Sequence, residues 1–179
     1  SPRLSNERKE IASLIKKTDK VLVMFAGVGP YSICIAKNSK AKIYSNEINR
    51  EANKYAELNI KLNNVKDRVE LIPGDIKKVV KKIIRPFVAP PNSRPRSVIN
   101  NLSLSSAKSL AHPRKQELNK KSELKIPSSF DVIVMPRPRL KESFLKQAFM
   151  LSKKGTRIFY YDFCKVEDKN KIIEKIKNE

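Results

Sequence analysis

The sequence predicts an α/β fold in which a parallel sheet carries helices on both faces. Three observations predict it. Short continuous apolar runs, Val21-Leu22-Val23-Met24-Phe25 and Phe130-Asp131-Val132-Ile133-Val134-Met135, read as strands buried on both sides. Amphipathic stretches separate the runs, and such alternation implies right-handed parallel crossovers. Small-residue turns close the strands: Ala26-Gly27-Val28-Gly29 after the first and Pro73-Gly74-Asp75 after the third.

Element by element, the pattern is helical from Ser5 to about Lys17, with Ser5 as N-cap, Glu7 in the first turn, and Ile11, Leu14 and Ile15 on one face. The first strand, 21–25, leads into the glycine loop, where Pro30 suits the opening turn of the next helix. Ile43-Tyr44 marks a second strand ending near Glu47, and residues from about Arg50 to Leu62 form an amphipathic helix. Val69-Glu70-Leu71-Ile72 is a third strand, followed by a basic helix from about Ile76 to Ile84. Strand 130–135, a helix over about 140–151, strand 157–161 and a last helix over about 166–177 complete the alternation. Four segments result: an N-terminal helix (1–18), a first half of the fold (19–85), an insertion (86–128) and a second half (129–179). The insertion holds six prolines, eight serines, eight Lys/Arg and two acids, the composition of an extended basic segment with at most a short helix at 107–110.

Composition narrows the partners. The 39 Lys+Arg against 18 Asp+Glu leave a net charge of +21, which favours an acidic partner, nucleic acid foremost. Cys34 and Cys164 are too few for a disulfide framework or a cysteine zinc site, and the single histidine, His112, argues against metal and triad chemistry. No apolar run reaches the roughly 20 residues of a membrane span, and the expected setting is the cytoplasm, without metal and as a monomer.

Ligands of parallel α/β sheets bind beyond the carboxyl ends of the strands, at the switch point. That rule brings together Phe25 to Gly29, Glu47 and Gly74-Asp75. Glycines at 27 and 29 permit close approach of backbone to ligand. Glu47 follows Gly27 by 20 residues, where a carboxylate accepts the hydroxyls of a ribose. Asp75 either accepts from an adenine amino group or stays solvated, and Ile48 and Ile76, next to the two carboxylates, complete the expected adenosine site. Ser32 stands where a dinucleotide loop wants a third glycine or alanine, and Pro30 removes an N–H that would cradle a pyrophosphate. Both favour a ligand without phosphates, and S-adenosylmethionine fits.

The stretches Ser1-Pro2-Arg3-Leu4-Ser5-Asn6-Glu7-Arg8, Met24-Phe25-Ala26-Gly27-Val28-Gly29-Pro30-Tyr31-Ser32, Asn46-Glu47-Ile48-Asn49 and Asn59-Ile60-Lys61-Leu62-Asn63 resemble the archaeal and eukaryotic-type tRNA (guanine-N1)-methyltransferases. The resemblance covers about residues 1–84 and 130–178. It implies a class I S-adenosylmethionine-dependent methyltransferase (Rossmann-like) domain that methylates the guanine 3′ of the anticodon, with tRNA as partner. By the same resemblance Glu7 matches the proposed base for the guanine N1 proton; a helix-dipole partner in the first turn is an equal alternative for that residue. Arg3 joins Glu7 as a catalytic candidate, and Arg8 is a candidate for RNA contact.

Three departures from the family's pattern stand out. The Asn-Leu-Pro expected after the fourth strand aligns with Pro136-Arg137-Pro138, so Pro136 takes the asparagine's place at the cofactor, and Arg137 and Arg139 become candidates for RNA contact. The tRNA-reading domains and the further catalytic arginine that precede the PRxxxER stretch in the family are not in this sequence, nor is its terminal strand pair. The chain therefore reads as a catalytic domain shortened at both ends, and a weakly active RNA-binding module or a wybutosine-type aminocarboxypropyltransferase is the alternative. Phe159, Tyr160, Tyr161 and Phe163 are expected mainly in the core, with base stacking as the alternative.

Overall fold

The computed structural model describes residues 4–84, 126–136 and 142–161, together with 170, 173, 174 and 177. Arg3, Arg137, Arg139, His112, Phe163 and Cys164 lie outside the described residues, as do most of the expected insertion and its short helix.

Five strands form one sheet: β1 (Lys20–Val23), β2 (Lys42–Glu47), β3 (Val69–Pro73), β4 (Phe130–Pro136) and β5 (Ser152–Tyr161). All neighbours pair in parallel, in the order β3-β2-β1-β4-β5. The chain thus leaves β1 in one direction to build β2 and β3, then returns to β1's other side with β4. The switch point lies at the carboxyl ends of β1 and its two neighbours.

Alternation along the central strands divides the core. Val21, Val23, Ile43, Val132 and Val134 face one way, against α1 (Ser5–Ser13), α2 (Pro30–Ser39) and α3 (Arg50–Leu62). Leu22, Met24, Tyr44, Ile133 and Met135 face the other, against α4 (Ile76–Ile84) and α5 (Leu145–Met150). Burial on both faces is why these strands read as unbroken apolar runs rather than as alternating ones. Phe159 and Tyr161 pack on the first core and Tyr160 on the second, as the core-packing expectation had it. Residues 170, 173, 174 and 177 are helical, where the last helix is expected.

Four boundaries differ from expectation, each for a local reason. The helix expected over about 140–151 is α5, Leu145–Met150; Phe144 before it has φ +59°, which no helix continues through, and 142–144 are not helical. The first strand ends at Val23, because the chain turns sharply at Phe25, which has φ +57°. Helix α1 begins at Ser5 itself, with Leu4 in the N-cap position and no side-chain cap, and it stops at Ser13. The following turn is tied down from elsewhere: Asp19 accepts from the Lys16 amide at 2.9 Å and Arg157 donates to the Leu14 carbonyl at 2.6 Å. Strand β5 starts at Ser152, well before Arg157, across an irregularity in its pairing between Phe130 and Val132. Its early part is polar and turns at Gly155 (φ +87°), so it carries no apolar signal.

Candidate functional site

Beyond the carboxyl end of β1 the chain makes two left-handed turns, Phe25 (φ +57°) and Gly27 (φ +57°), before Gly29 (φ +84°) caps α2. A non-glycine residue in that region costs of order 1 kcal/mol, so Phe25 is held there by its surroundings. The Ala26 amide donates to the Asn46 carbonyl at 2.9 Å, and the Gly29 amide to the Ala26 carbonyl at 3.0 Å. Pro30 occupies the first turn of α2, as anticipated. Ser32 is fully buried with its hydroxyl 2.8 Å from that of Ser45 in β2, so a satisfied polar pair packs the helix on the sheet.

Glu47 ends β2 with both carboxylate oxygens aimed at backbone. One accepts from the Gly27 amide at 2.8 Å, the other from the Asn49 amide at 2.8 Å. A carboxylate offers about four acceptor positions, so two remain for a ligand. Asp75 follows β3 and caps α4, accepting from the Lys77 amide at 2.9 Å. Among the described residues neither carboxylate has a cationic side-chain partner.

These turns enclose a cavity of about 470 Å³, within the usual range for a small-molecule site. Phe25, Gly27, Glu47, Ile48, Asp75, Ile76 and Pro136, all expected from the sequence, line it. A mainly apolar lining with two carboxylates suits an aromatic base carrying a diol. Ile48 lines it and is 65% exposed, an apolar surface open to a ligand. Space also lies open before Gly27, where an added Cβ meets nothing within 4 Å.

Two lining residues escape sequence reasoning. Phe144, with φ +59°, sets its ring edge-on to Phe25 at 5.0 Å; nothing in its local sequence marks it. Asn46 is buried, and its amide donates to the Ile72 and Gly74 carbonyls at 2.8 and 2.9 Å, stitching the ends of β2 and β3 together. Its available signal was its place at a strand end, heading the Asn46-Glu47-Ile48-Asn49 stretch.

Gly29 lies outside the cavity lining. It sits under the loop, and a Cβ there would touch Ile33 and Ala56 at 3.6 and 3.7 Å, so its part is to turn the chain. Glu7 also lies off the cavity. It projects from α1 toward Tyr31 and Tyr161, and one of its oxygens is buried without a hydrogen-bond partner among the described residues. Burial above all, with Tyr161 and Glu7 close by, pushes the Tyr31 hydroxyl up to about 12. Tyr161 ends β5, so this cluster stands at the same sheet edge as the pocket. Arg8 stacks over the Tyr31 ring at 5.9 Å and lines a separate cavity of about 360 Å³ between α1, α2 and α3.

Among the described residues no His/Cys/Asp/Glu group is arranged to hold a metal, and no helix is long and apolar enough to cross a membrane.

Strand order, glycine turn and the acid ending β2 together define the chain as a Rossmann-like domain of class I methyltransferase architecture. Comparison with known proteins sharpens this. Residues 1–89 match the family described as the TRM5/TYW2 methyltransferase domain. It is 35% identical over 171 residues to the Nanoarchaeum equitans tRNA (guanine(37)-N(1))/4-demethylwyosine(37)-methyltransferase Taw22, covering 90% of this chain and 57% of that one. The crystal structure of Trm5b from Pyrococcus abyssi superposes with a TM-score of 0.64 at 28% identity, over 99% of this chain and 39% of that one. Methanocaldococcus jannaschii Trm5 in complex with adenosine gives a TM-score of 0.61 at 26% identity, over 98% of this chain and 41% of that one. The chain thus spans little more than half of the first relative's length.

Proposed function

We propose that the chain binds S-adenosylmethionine in the Phe25–Pro136 pocket and transfers its methyl group to N1 of the guanine 3′ of the anticodon, position 37, in tRNA. The observation that carries this reading is Glu47, fixed by two backbone amides at the floor of an apolar cavity of nucleoside size. The name of the Nanoarchaeum relative and the adenosine held by the Methanocaldococcus neighbour support it.

In this reading Glu47 accepts from the ribose hydroxyls, while Phe25, Ile48, Ile76 and Pro136 sandwich the adenine and Asp75 accepts from its amino group. S-adenosylmethionine, when bound, supplies an electrophilic methyl carried on a sulfonium. Guanine N1 would lose its proton as the new N–C bond forms and the S–CH3 bond breaks, its electron pair staying on sulfur as a neutral thioether, and Glu7, one oxygen of which has no hydrogen-bond partner among the described residues, would take that proton. Transfer of this kind needs in-line positioning more than covalent help from the protein. The net charge of +21 draws the RNA to the site.

The test is incorporation of labelled methyl into an unmodified tRNA transcript with guanine at position 37, beside the same transcript with adenine there. Incorporation into the first alone is expected. Equal incorporation into both, or none despite tight cofactor binding, overturns the reading.

A further inference from the structure

We propose that the second cavity, framed by α1, α2 and α3, is a seat for a phosphodiester of the RNA backbone. The proposal rests on the tRNA reading above and adds a place where the RNA is gripped.

The two cavities have opposite chemistry. The nucleoside pocket carries Glu47 and Asp75; the second is lined by Arg8 and Lys9 and, among the described residues, by no carboxylate. Such a site takes an anion. Its volume, about 360 Å³, admits a phosphodiester with its sugar edges and is open enough for a chain to run through.

Its polar groups are held in advance. The Arg8 guanidinium lies over the Tyr31 ring at 5.9 Å, which fixes its plane and leaves its N–H edge available. The Asn59 amide donates to the Val28 carbonyl at 3.0 Å, and that of Asn63 to the Asn59 carbonyl at 2.8 Å. Each such amide keeps a second N–H for a ligand. The Asn63 side-chain oxygen, which would repel a phosphate, is taken by the Lys37 ammonium at 3.3 Å. One loop separates the two cavities: Gly27 lines the first and Val28 the second. A phosphate seated here therefore lies one loop's width from the nucleoside, as an RNA presenting a base to that pocket requires.

Cys34 lines this cavity and supplies a local reporter. Its alkylation by iodoacetamide is followed by peptide mass spectrometry, with and without an unmodified tRNA transcript at low salt. Bound tRNA should slow alkylation at least several-fold, and inorganic phosphate at millimolar concentration should not. In Lys9→Glu, an exposed position that leaves the core intact, protection should weaken and the slope of log affinity against log salt should fall by roughly 0.7–0.9 for the lost phosphate contact. Arg8→Ala should act in the same direction. If tRNA is bound and methylated while Cys34 reacts at its free rate, or the Lys9→Glu slope is unchanged, the seat is refuted and methyl transfer stands. Equal protection by inorganic phosphate refutes it in favour of a free-anion site. Failure of tRNA to bind or to be methylated removes both proposals.

Discussion

The Glu47 carboxylate accepts from the Gly27 backbone amide at 2.8 Å, joining the end of β2 to the turn after β1. The bond does two things: it holds the loop in its left-handed conformation, and it fixes the carboxylate that faces the pocket. Truncation therefore removes a ligand acceptor and loosens the wall beside it.

Glu47→Ala should weaken binding of S-adenosylhomocysteine at least about tenfold, or ~1.4 kcal/mol, the value of a hydrogen bond to a charged group. Gly27→Val should be more severe, since a β-branched residue resists the φ of +57° there. Titration calorimetry measures both. Wild-type affinity in Glu47→Ala would remove the pocket assignment.

Phe144→Ala tests the wall that sequence reasoning missed. The ring packs edge-on against Phe25 at 5.0 Å, with the Lys77 ammonium 5.3 Å from its centre. Loss of an aromatic contact of this kind costs roughly 0.5–1.5 kcal/mol beyond area burial. Cofactor affinity is expected to drop several-fold while far-ultraviolet circular dichroism stays native. Unchanged affinity would make Phe144 a packing residue alone.

How far the sequence discloses this arrangement depends on where the signal is local. Helix α3 runs from Arg50 to Leu62, as its periodicity predicts, and Asn49 caps it by accepting from the Glu51 and Ala52 amides. The pocket residues Gly27, Glu47 and Asp75 are legible because each closes a buried strand, and the parallel-sheet rule gathers strand ends at one edge. Phe25 is legible as a residue and misread as conformation: an apolar run says nothing about the turn at its last member. Phe144 and the early part of β5, Ser152–Thr156, are illegible for a different reason. They are placed by tertiary contacts, with Phe25 and with β4, that leave no periodic trace in the chain.

At the amino end of the sheet, Asp131 accepts from the Lys20 amide at 2.8 Å and pairs with the Lys153 ammonium at 2.6 Å, linking β1, β4 and β5. The Lys153 hydrogen bond first, then that from Lys20, holds its carboxyl below the usual 3.8. A depressed folded value means stability that is complete above the unfolded value and is lost as pH falls through the folded one. Asp131→Asn should therefore cost roughly 0.5–1 kcal/mol in urea unfolding at neutral pH, a modest figure because the pair is partly solvated. The difference should vanish in acid, below both values. A cost that persists there would assign the loss to packing.

Alkaline titration probes the Tyr31 cluster in the opposite sense. Tyr31 is 4% exposed and its hydroxyl is pushed from 10.0 up to about 12, by burial first and by Tyr161 and Glu7 after it. Tyr44 and Tyr161 are raised as well, burial again leading. A raised folded value means that the unfolded chain gives up its proton first, so this contribution is intact below 10.0 and is lost as pH climbs toward about 12. Urea unfolding followed across that range should show falling stability in the wild type and a shallower fall in Tyr31→Phe, with Tyr44 and Tyr161 supplying the remainder. An alkaline fall as steep in Tyr31→Phe as in the wild type would assign the loss to groups other than Tyr31.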